Sequence, residues 1–403
     1  MPGTSNIGNR ISNSNFKVRT TIHEQKATGK KAMKKKDKTK SNTPETGIVD
    51  LRNSIDEIDC NILNLINRRL LLAREIGRMK AEKGSRVLDI ARESTLIQRL
   101  NSLNEGPLSK SALHHVFAEI IAASREIQKN HSVAYLGPEA TFTHIAAINY
   151  FGQSVNFIPQ TTIRDIFCEV EKGACHYGVV PVENSIEGSV NYTLDLFFES
   201  DLKICAELYH PISHDLLSKS DTPGEIEIIY SHPQAFAQCR KWIQMKLPGA
   251  VLVECDSTAN AAWKASNDPK SAAIASSKAA HIYNLQVAAS KIEDISRNTT
   301  RFLVIGKEDI KRTGYDKTSI MFVTSHVPGA LYKALKPVAE AGINMVKLES
   351  RPTKHENWSY FFFVDLEGHI QDLMINETIK KMKKLSLYLK CLGSYPMAKE
   401  GVK

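Results

Sequence analysis

Between Leu51 and Met79 the apolar residues recur at helical spacing: Leu51, Ile55, Ile58, Ile62, Leu65, Ile66, Ala73, Ile76 and Met79. No Pro or Gly interrupts them before Gly77. This pattern predicts one long helix over 47–83. At about 1.5 Å per residue it would run about 55 Å. A second helix is expected at about 89–103, starting near Asp89 and stopping before Gly106-Pro107. A third is expected at about 109–129, capped by Ser109, with Leu113, Val116, Phe117, Ile120 and Ile121 inward. Three helices, the first so long, make a poor core for a single chain. The stripe needs a partner helix, so an intertwined homodimer or higher homo-oligomer is expected.

Polar residues on these helices share faces. Arg69 and Lys80 are eleven apart, about 20° from eclipsed and about 16 Å along the axis. Arg52 falls about 100° away from Arg69 and cannot serve the same pocket from the same helix. Asp89, Arg92 and Glu93 share a face of the second helix, and Ser124 and Gln128 share one of the third. Such cations with an amide and a hydroxyl suit a small dianion. Surface salt-bridge lacing would give the same spacing.

The net charge of +9 resides in a tail. Residues 1–46 hold eleven Lys/Arg and three Asp/Glu, which leaves 42 basic against 41 acidic residues in the remainder. The tail has too few apolar residues to offset ordering entropy and is read as disordered. Nucleic-acid binding and a membrane are not expected, and no apolar signal core is present. Seven scattered cysteines, with no Cys-x-x-Cys pair, suggest neither a metal site nor a disulfide framework. Reduced thiols and a cytoplasmic location fit best.

From 130 to 306 short apolar strands alternate with helical stretches, which predicts an α/β domain of two lobes around a cleft. Strands are expected at 133–136, 155–158, 177–182, 226–230, 251–255, 272–275 and 302–305. One stretch, 178–196, reads as strand, polar turn and helix, the arrangement that places chemistry at strand ends and helix starts. The turn at 137–143 lacks the Lys of a phosphate loop. Ser231, read alone, is a helix N-cap. No Gly-x-Ser-x-Gly elbow supports a Ser/His hydrolase around His232.

Four motifs in order carry a resemblance: Gly137-Pro-Glu-Ala-Thr-Phe-Thr143, Val180-Pro-Val-Glu-Asn-Ser185, Tyr230-Ser-His-Pro-Gln234 and Asn298-Thr-Thr-Arg-Phe302. Together they resemble prephenate dehydratases. The resemblance implies loss of water and CO₂ from prephenate to give phenylpyruvate, driven by aromatisation. Thr300 would assist departure of the C4 hydroxyl. A neutral alcohol is a weak acid, so hydrogen-bond assistance is preferred to full proton transfer. Thr141, Glu183, Asn184, Ser231 and Gln238 would line the cleft, and Arg301 would pair with a carboxylate or act structurally. No metal or other cofactor is implied.

The helical segment likewise resembles all-helical chorismate mutases, through Leu51-Arg-x-x-Ile-Asp-x-Ile-Asp59, Arg69, Lys80, Asp89-x-x-Arg-Glu93 and Ser124-x-x-x-Gln128. The resemblance implies that Arg69, Arg92 and a partner's Arg52 bind the two carboxylates of chorismate. Lys80 and Gln128 would stabilise the ether oxygen, and Asp89 and Glu93 would orient the hydroxyl or the cations. The rearrangement is pericyclic, so binding a compact conformer and stabilising developing charge suffice.

After a charged linker at 307–317, a βαββαβ pattern runs from 318 to 396, with a short tail at 397–403. Pro337 is expected to kink or end its first helix. This α+β unit resembles an ACT domain. Its Gly329-Ala330-Leu331-Tyr332 and Glu349-Ser350-Arg351-Pro352 segments look like the phenylalanine-binding motifs of the dehydratases, with Tyr332 where many relatives carry a smaller residue. The expectation is thus a multidomain chain: an all-α mutase module at 47–129, a two-lobed α/β dehydratase at 130–306 and an α+β regulatory domain. Arogenate as substrate, a residual mutase, and a small-molecule sensor are the rival readings.

Overall fold

The computed structural model describes residues 44–82, 89–128, 132–153, 155–220, 226–352 and 360–398. Most of the basic tail lies outside them. The chain divides into two compact units, one up to Cys60 and one from Asn61 onward.

Helix α1 (Pro44–Glu82) is uninterrupted, as its period predicts. In the first unit Leu51, Ile55 and Ile58 are exposed. In the second, Ile62, Leu65, Ile76 and Met79 are also exposed, while Ala73 is buried. The apolar stripe is therefore real and uncovered. Helix α2 (Ile90–Leu103) starts at Asp89, whose carboxylate accepts from the Arg92 N–H at 3.0 Å. Ser109 caps α3 (Lys110–Gln128), accepting from the Ala112 N–H at 3.1 Å. Such caps satisfy amides that the first turn cannot. Val116, expected inward, is exposed. Leu113 and Ile121 are buried as expected, and Ala122 is buried with them, close to Gly152 at the end of the next helix in the chain.

Two mixed sheets follow. The first holds β1 (Ser132–Leu136), β2 (Asn156–Gln160), β3 (Tyr177–Asn184), the short β4 (Gly188–Ser189), β5 (Lys203–Pro211) and a late strand, β11 (Thr299–Gly306). Its order is β2-β1-β3-β11-β5, with β11 antiparallel to both neighbours. Helices α4 (Phe142–Phe151), α5 (Ile163–Lys172) and α6 (Asn191–Glu199) pack against it. The second sheet is inserted between β5 and β11. It comprises β6 (Asp215–Ser218), β7 (Ile228–Ser231), β8 (Val251–Glu254), β9 (Ser271–Ala275) and β10 (Gln286–Ala289), ordered β10-β6-β9-β7-β8. Helices α7 (Pro233–Gln238), α8 (Arg240–Lys246), α9 (Thr258–Ala265) and α10 (Ser277–Tyr283) complete this lobe. Strands β5, β6 and β10 were not anticipated from the sequence. Their mixed composition, such as Glu207 and His210 inside β5, hides the apolar pattern.

The last unit comprises β12 (Asp316–Val323), α11 (Ala330–Glu340), β13 (Met345–Pro352), β14 (Tyr360–Glu367), α12 (Leu373–Lys384) and β15 (Tyr388–Pro396). The sheet order is β13-β14-β12-β15. Helix α11 continues past Pro337 to Glu340, so the proline does not end it there. Pro337 falls in the last turn, so only one backbone bond is forfeited near an end that frays anyway. One sheet face, with Ile320, Phe322, Val364 and Leu366, packs under the helix residues Ala334, Val338, Ile375 and Ile379. The other face, with Met321, Phe361, Phe363 and Tyr395, joins Leu194, Leu196, Phe197 and Leu303 of the first lobe in one continuous core. The segment read as a linker is itself anchored, with Ile310 buried and its carbonyl bonded to His369 Nε2 at 2.9 Å.

Edge strands β15 and β5 meet at Gly393. It has φ +146°, and a Cβ there would sit 2.4 Å from the Ile204 carbonyl oxygen. Only glycine permits this approach without strain. Gly393→Ala should lower the unfolding midpoint and cost about 2 kcal/mol, measured by urea or thermal unfolding. An unchanged midpoint would show that the two edges separate freely.

Candidate functional site

Strand β11 enters at the junction of the two lobes, and its alternation sorts its side chains. Thr300 stands in register with Asn184 of β3 on one side and His210 of β5 on the other. Directly opposed residues share a sheet face, so His210, Thr300 and Asn184 line up across three strands. Thr300 is buried.

The hydrogen bonds around Asn184 have a determined polarity. Its Oδ1 accepts from the Ile186 and Glu187 N–H groups at 3.0 and 3.2 Å. The amide nitrogen must therefore face the other way, and it donates to Asn298 Oδ1 at 2.8 Å and Thr300 Oγ1 at 2.9 Å. Thr300 accepts in this contact, which leaves its proton to be donated. Among the described residues no acceptor bonds that proton. The network continues into the second lobe. Asn298 Nδ2 donates to Gln238 Oε1 at 2.9 Å, and Gln238 Nε2 donates to Glu187 at 3.2 Å. Since Gln238 Oε1 is an acceptor, His214 Nε2, 2.9 Å away, carries the hydrogen. Gln234 also donates to Glu187. Burial pushes His210 down to about 4, so its ring is neutral near pH 7.

Other expected cleft residues are engaged in the frame. The Thr141 hydroxyl donates to the Leu136 carbonyl at 2.9 Å and caps α4. Ser231 is fully buried and donates to the Ile274 carbonyl at 2.8 Å. It is not the N-cap of α7, contrary to its reading in isolation. That position belongs to His232, whose ring accepts from the Gln234 N–H.

Glu183 and Arg301 lie in register on the opposite face from Thr300. Arg301 is buried against Glu207 at 2.7 Å and Asp365 at 2.7 Å, and donates to Tyr395 at 3.1 Å. Lys317 completes the cluster with both Glu207 oxygens at 2.9 Å. Burial alone would lower the Arg301 pKa, but Asp365, Tyr395 and Glu207 raise it well above its ordinary value. Arg301 is thus engaged by protein carboxylates on the face away from Thr300. Glu183 pairs with Lys347 of β13 at 2.6 Å.

In the helical part, Arg69 donates to the Ser124 hydroxyl and to the Ile120 carbonyl. Burial lowers the Arg69 pKa, Glu93 opposes the shift and Arg92 adds to it. Glu93 is gripped by Arg125 Nε at 2.9 Å and also by its terminal nitrogen. Arg125 in turn donates to the Phe151 carbonyl at 3.1 Å. Arg125, His214, Glu187 and His210 were not singled out from the sequence, and Asn298 entered only as the first residue of a motif. A buried arginine on a helix opposite an acidic residue carries no spacing signal. Lys80 is half-buried on α1, Arg92 is exposed, and Asp89 is committed to its cap. Gln128 ends α3, and its side chain falls outside the described residues. Arg52 is exposed on α1.

A pocket of about 430 Å³ opens beside Gly329, lined by Ala330, Leu331, Tyr332, Tyr360 and Phe362. Gly329 adopts φ +77° at the start of α11, a conformation that favours glycine. Ser350 is in register with Phe362 and so shares the pocket's sheet face. Glu349 and Arg351 pair with Phe363 and Phe361 on the other face.

Comparison with known proteins divides the chain along the same lines. The family model of chorismate mutase type II matches residues 51–129, that of prephenate dehydratase 133–310, and that of the ACT domain 318–383. A bifunctional chorismate mutase/prephenate dehydratase of Aquifex aeolicus is 48% identical over 353 residues, 87% of this chain and 98% of that protein. The crystal structure of a prephenate dehydratase from Arthrobacter aurescens in complex with L-Phe matches with TM-score 0.62 and 33% identity, covering 66% of this chain and 90% of that one. GqqA, described as a novel type of quorum quenching acylase, matches with TM-score 0.61 and 28% identity, covering 66% of this chain and 98% of that one. Fold alone therefore does not name the reaction, and the site must.

The Arg301 cluster has a measurable consequence. Arg301→Met would leave Glu207 and Asp365 under-compensated in a dry setting and should cost about 3–5 kcal/mol, read from denaturant unfolding. A loss below about 1 kcal/mol would mean that water reaches the cluster.

Proposed function

We propose how two reactions are divided over this chain, which belongs to the family of bifunctional chorismate mutase/prephenate dehydratases. The helical module at 47–129 rearranges chorismate to prephenate. The two-lobed domain at 130–306 converts prephenate to phenylpyruvate. The ACT domain at 318–396 binds phenylalanine and restrains the dehydratase. The cytoplasm is the compartment this reading implies.

For the dehydratase, the carrying observation is the Asn184–Thr300 contact. The Asn184 amide occupies a lone pair of Thr300, which turns the threonine proton toward the ligand. In the reaction the bond from the ring to the carboxylate breaks, its electrons enter the ring, and the C4–O bond opens. The departing oxygen needs a hydrogen-bond donor, and Thr300 supplies one. Asn298 and Gln238 hold Asn184 in place. Thr141 and Ser231 build the walls through their bonds to strand carbonyls, and Glu183 and Arg301 support the site from behind.

For the mutase, Arg69 and Arg92 take the carboxylates together with Arg52 of the partner subunit. Ser124 aims Arg69. Lys80 and Gln128 face the ether oxygen, and Glu93, held by Arg125, and Asp89 keep the cations in place. The exposed apolar stripe of α1 supports a dimer in which two long helices cover one another. The pocket at Gly329 suits an amino acid with an aromatic side chain, and Ser350 of β13 stands in register with its lining residue Phe362.

A time course on purified protein tests the scheme. Chorismate should be consumed, prephenate should appear transiently, phenylpyruvate should accumulate, and phenylalanine should slow only the second step. Thr300→Ala should lower dehydratase kcat by about 10²–10³-fold while the mutase rate stays unchanged. Unaltered dehydratase turnover in that variant would remove Thr300 from the mechanism. Mixing Arg52→Ala and Lys80→Ala chains under confirmed subunit exchange should restore about a quarter of wild-type mutase activity, since half the chains pair as heterodimers with one intact site each. No recovery would place Arg52 in its own chain's site.

A further inference from the structure

The strand that carries Glu349, Ser350 and Arg351 touches the dehydratase through its opposite face. Lys347 Nζ lies 2.6 Å from Glu183 Oε2, and its side chain is only 10% exposed. Two turns of the pleat further on, Arg351 lies 3.5 Å from Asp195 of α6. Glu183 immediately precedes Asn184, and Asp195 lies on the helix that follows the turn. The two ion pairs therefore bracket residues 184–190, the segment whose backbone N–H groups orient the Asn184 amide.

We propose that Lys347 couples the regulatory sheet to the dehydratase, and that its ion pair with Glu183 transmits occupancy of the Gly329 pocket to the Asn184–Thr300 contact. The inference rests on the assignment of that pocket to phenylalanine. The path is short. Phe362 lines the pocket and is the register partner of Ser350 on β13. Lys347 and Arg351 project from the other face of that same strand. A ligand that displaces β13 moves the Lys347 ammonium relative to a carboxylate bonded at close range, and Glu183 draws on the next peptide. The 2.9 Å bond from Asn184 to Thr300 tolerates only a few tenths of an ångström before it weakens.

The test uses the full-length enzyme. Steady-state prephenate kinetics with and without phenylalanine are combined with calorimetric phenylalanine binding, for wild type, Lys347→Met and Lys347→Arg. In wild type saturating phenylalanine should lower dehydratase kcat by about fivefold or more, since it weakens the contact that serves the departing oxygen. Lys347→Met should keep phenylalanine binding and uninhibited kcat within about threefold, yet show less than about a twofold drop in kcat at saturating phenylalanine. Lys347→Arg, which keeps the cation, should recover most of the response. Inhibition of Lys347→Met equal to wild type at matched occupancy overturns the proposal. Should Lys347→Met fail to fold, Glu183→Gln breaks the same pair from the other side, and its ratio of inhibited to uninhibited rate should approach one. A wild-type enzyme that consumes prephenate and ignores bound phenylalanine would overturn the regulatory reading and this inference with it. One that consumes no prephenate would instead overturn the dehydratase reading.

Discussion

Arg301, Lys317, Glu207 and Asp365 form a charge-balanced group with almost no access to water. Removing four charges from solvent is expensive, and only close mutual pairing with Tyr395 and Ser319 nearby compensates it. Such a group tolerates little displacement. It joins β11 and β5 of the first lobe to β12, β14 and β15 of the ACT sheet, and the apolar core continues across the same boundary. Because side chains alternate along a strand, committing Arg301 to this cluster commits Thr300 to the opposite face. The placement of the Thr300 hydroxyl is thereby tied to the seat of the ACT domain.

The opposite face is built on another principle. Its residues are neutral amides, hydroxyls and uncharged histidines, linked by bonds whose direction is set at two backbone N–H groups. Each donor is assigned, and the assignment propagates from Asn184 to Asn298, Gln238 and His214. A site of oriented dipoles needs little reorganisation when a hydroxyl departs as an anion-like group. It contributes no strong acid. Aromatisation makes one unnecessary, and a hydrogen bond from Thr300 suffices in this reading. A carboxylate, Glu187, joins the network, held by Gln234 and Gln238 of the other lobe, and so bridges the two lobes.

Much of this was legible in the residues. The period of α1, the caps at Asp89 and Ser109, the strand–turn–helix around Asn184 and the βαββαβ order follow from local rules that act within a few residues. The proximity of Thr300 and Asn184 was suggested by motif resemblance and realised by strand pairing. Ser231 shows the limit of local reading. Its position at a strand–helix junction looks like a cap, but the hydroxyl turns to the Ile274 carbonyl because β7 and β9 are neighbours. Glu183 illustrates the same limit, since a residue in a motif next to Asn184 was expected in the cleft and faces Lys347 instead.

What the sequence alone determined is what short-range physics controls: a long amphipathic helix with an apolar stripe, the order of helices and strands, and the residue types available for the proposed chemistry. Tertiary structure decided which face each of those residues occupies. A bulge between Arg301 and Phe302, an inserted lobe between β5 and β11, and a glycine at Gly393 thin enough for two sheet edges to meet set those faces. Each depends on residues far apart in the chain. One residue of register moves a side chain from the catalytic face to the regulatory one, and no local pattern encodes that register.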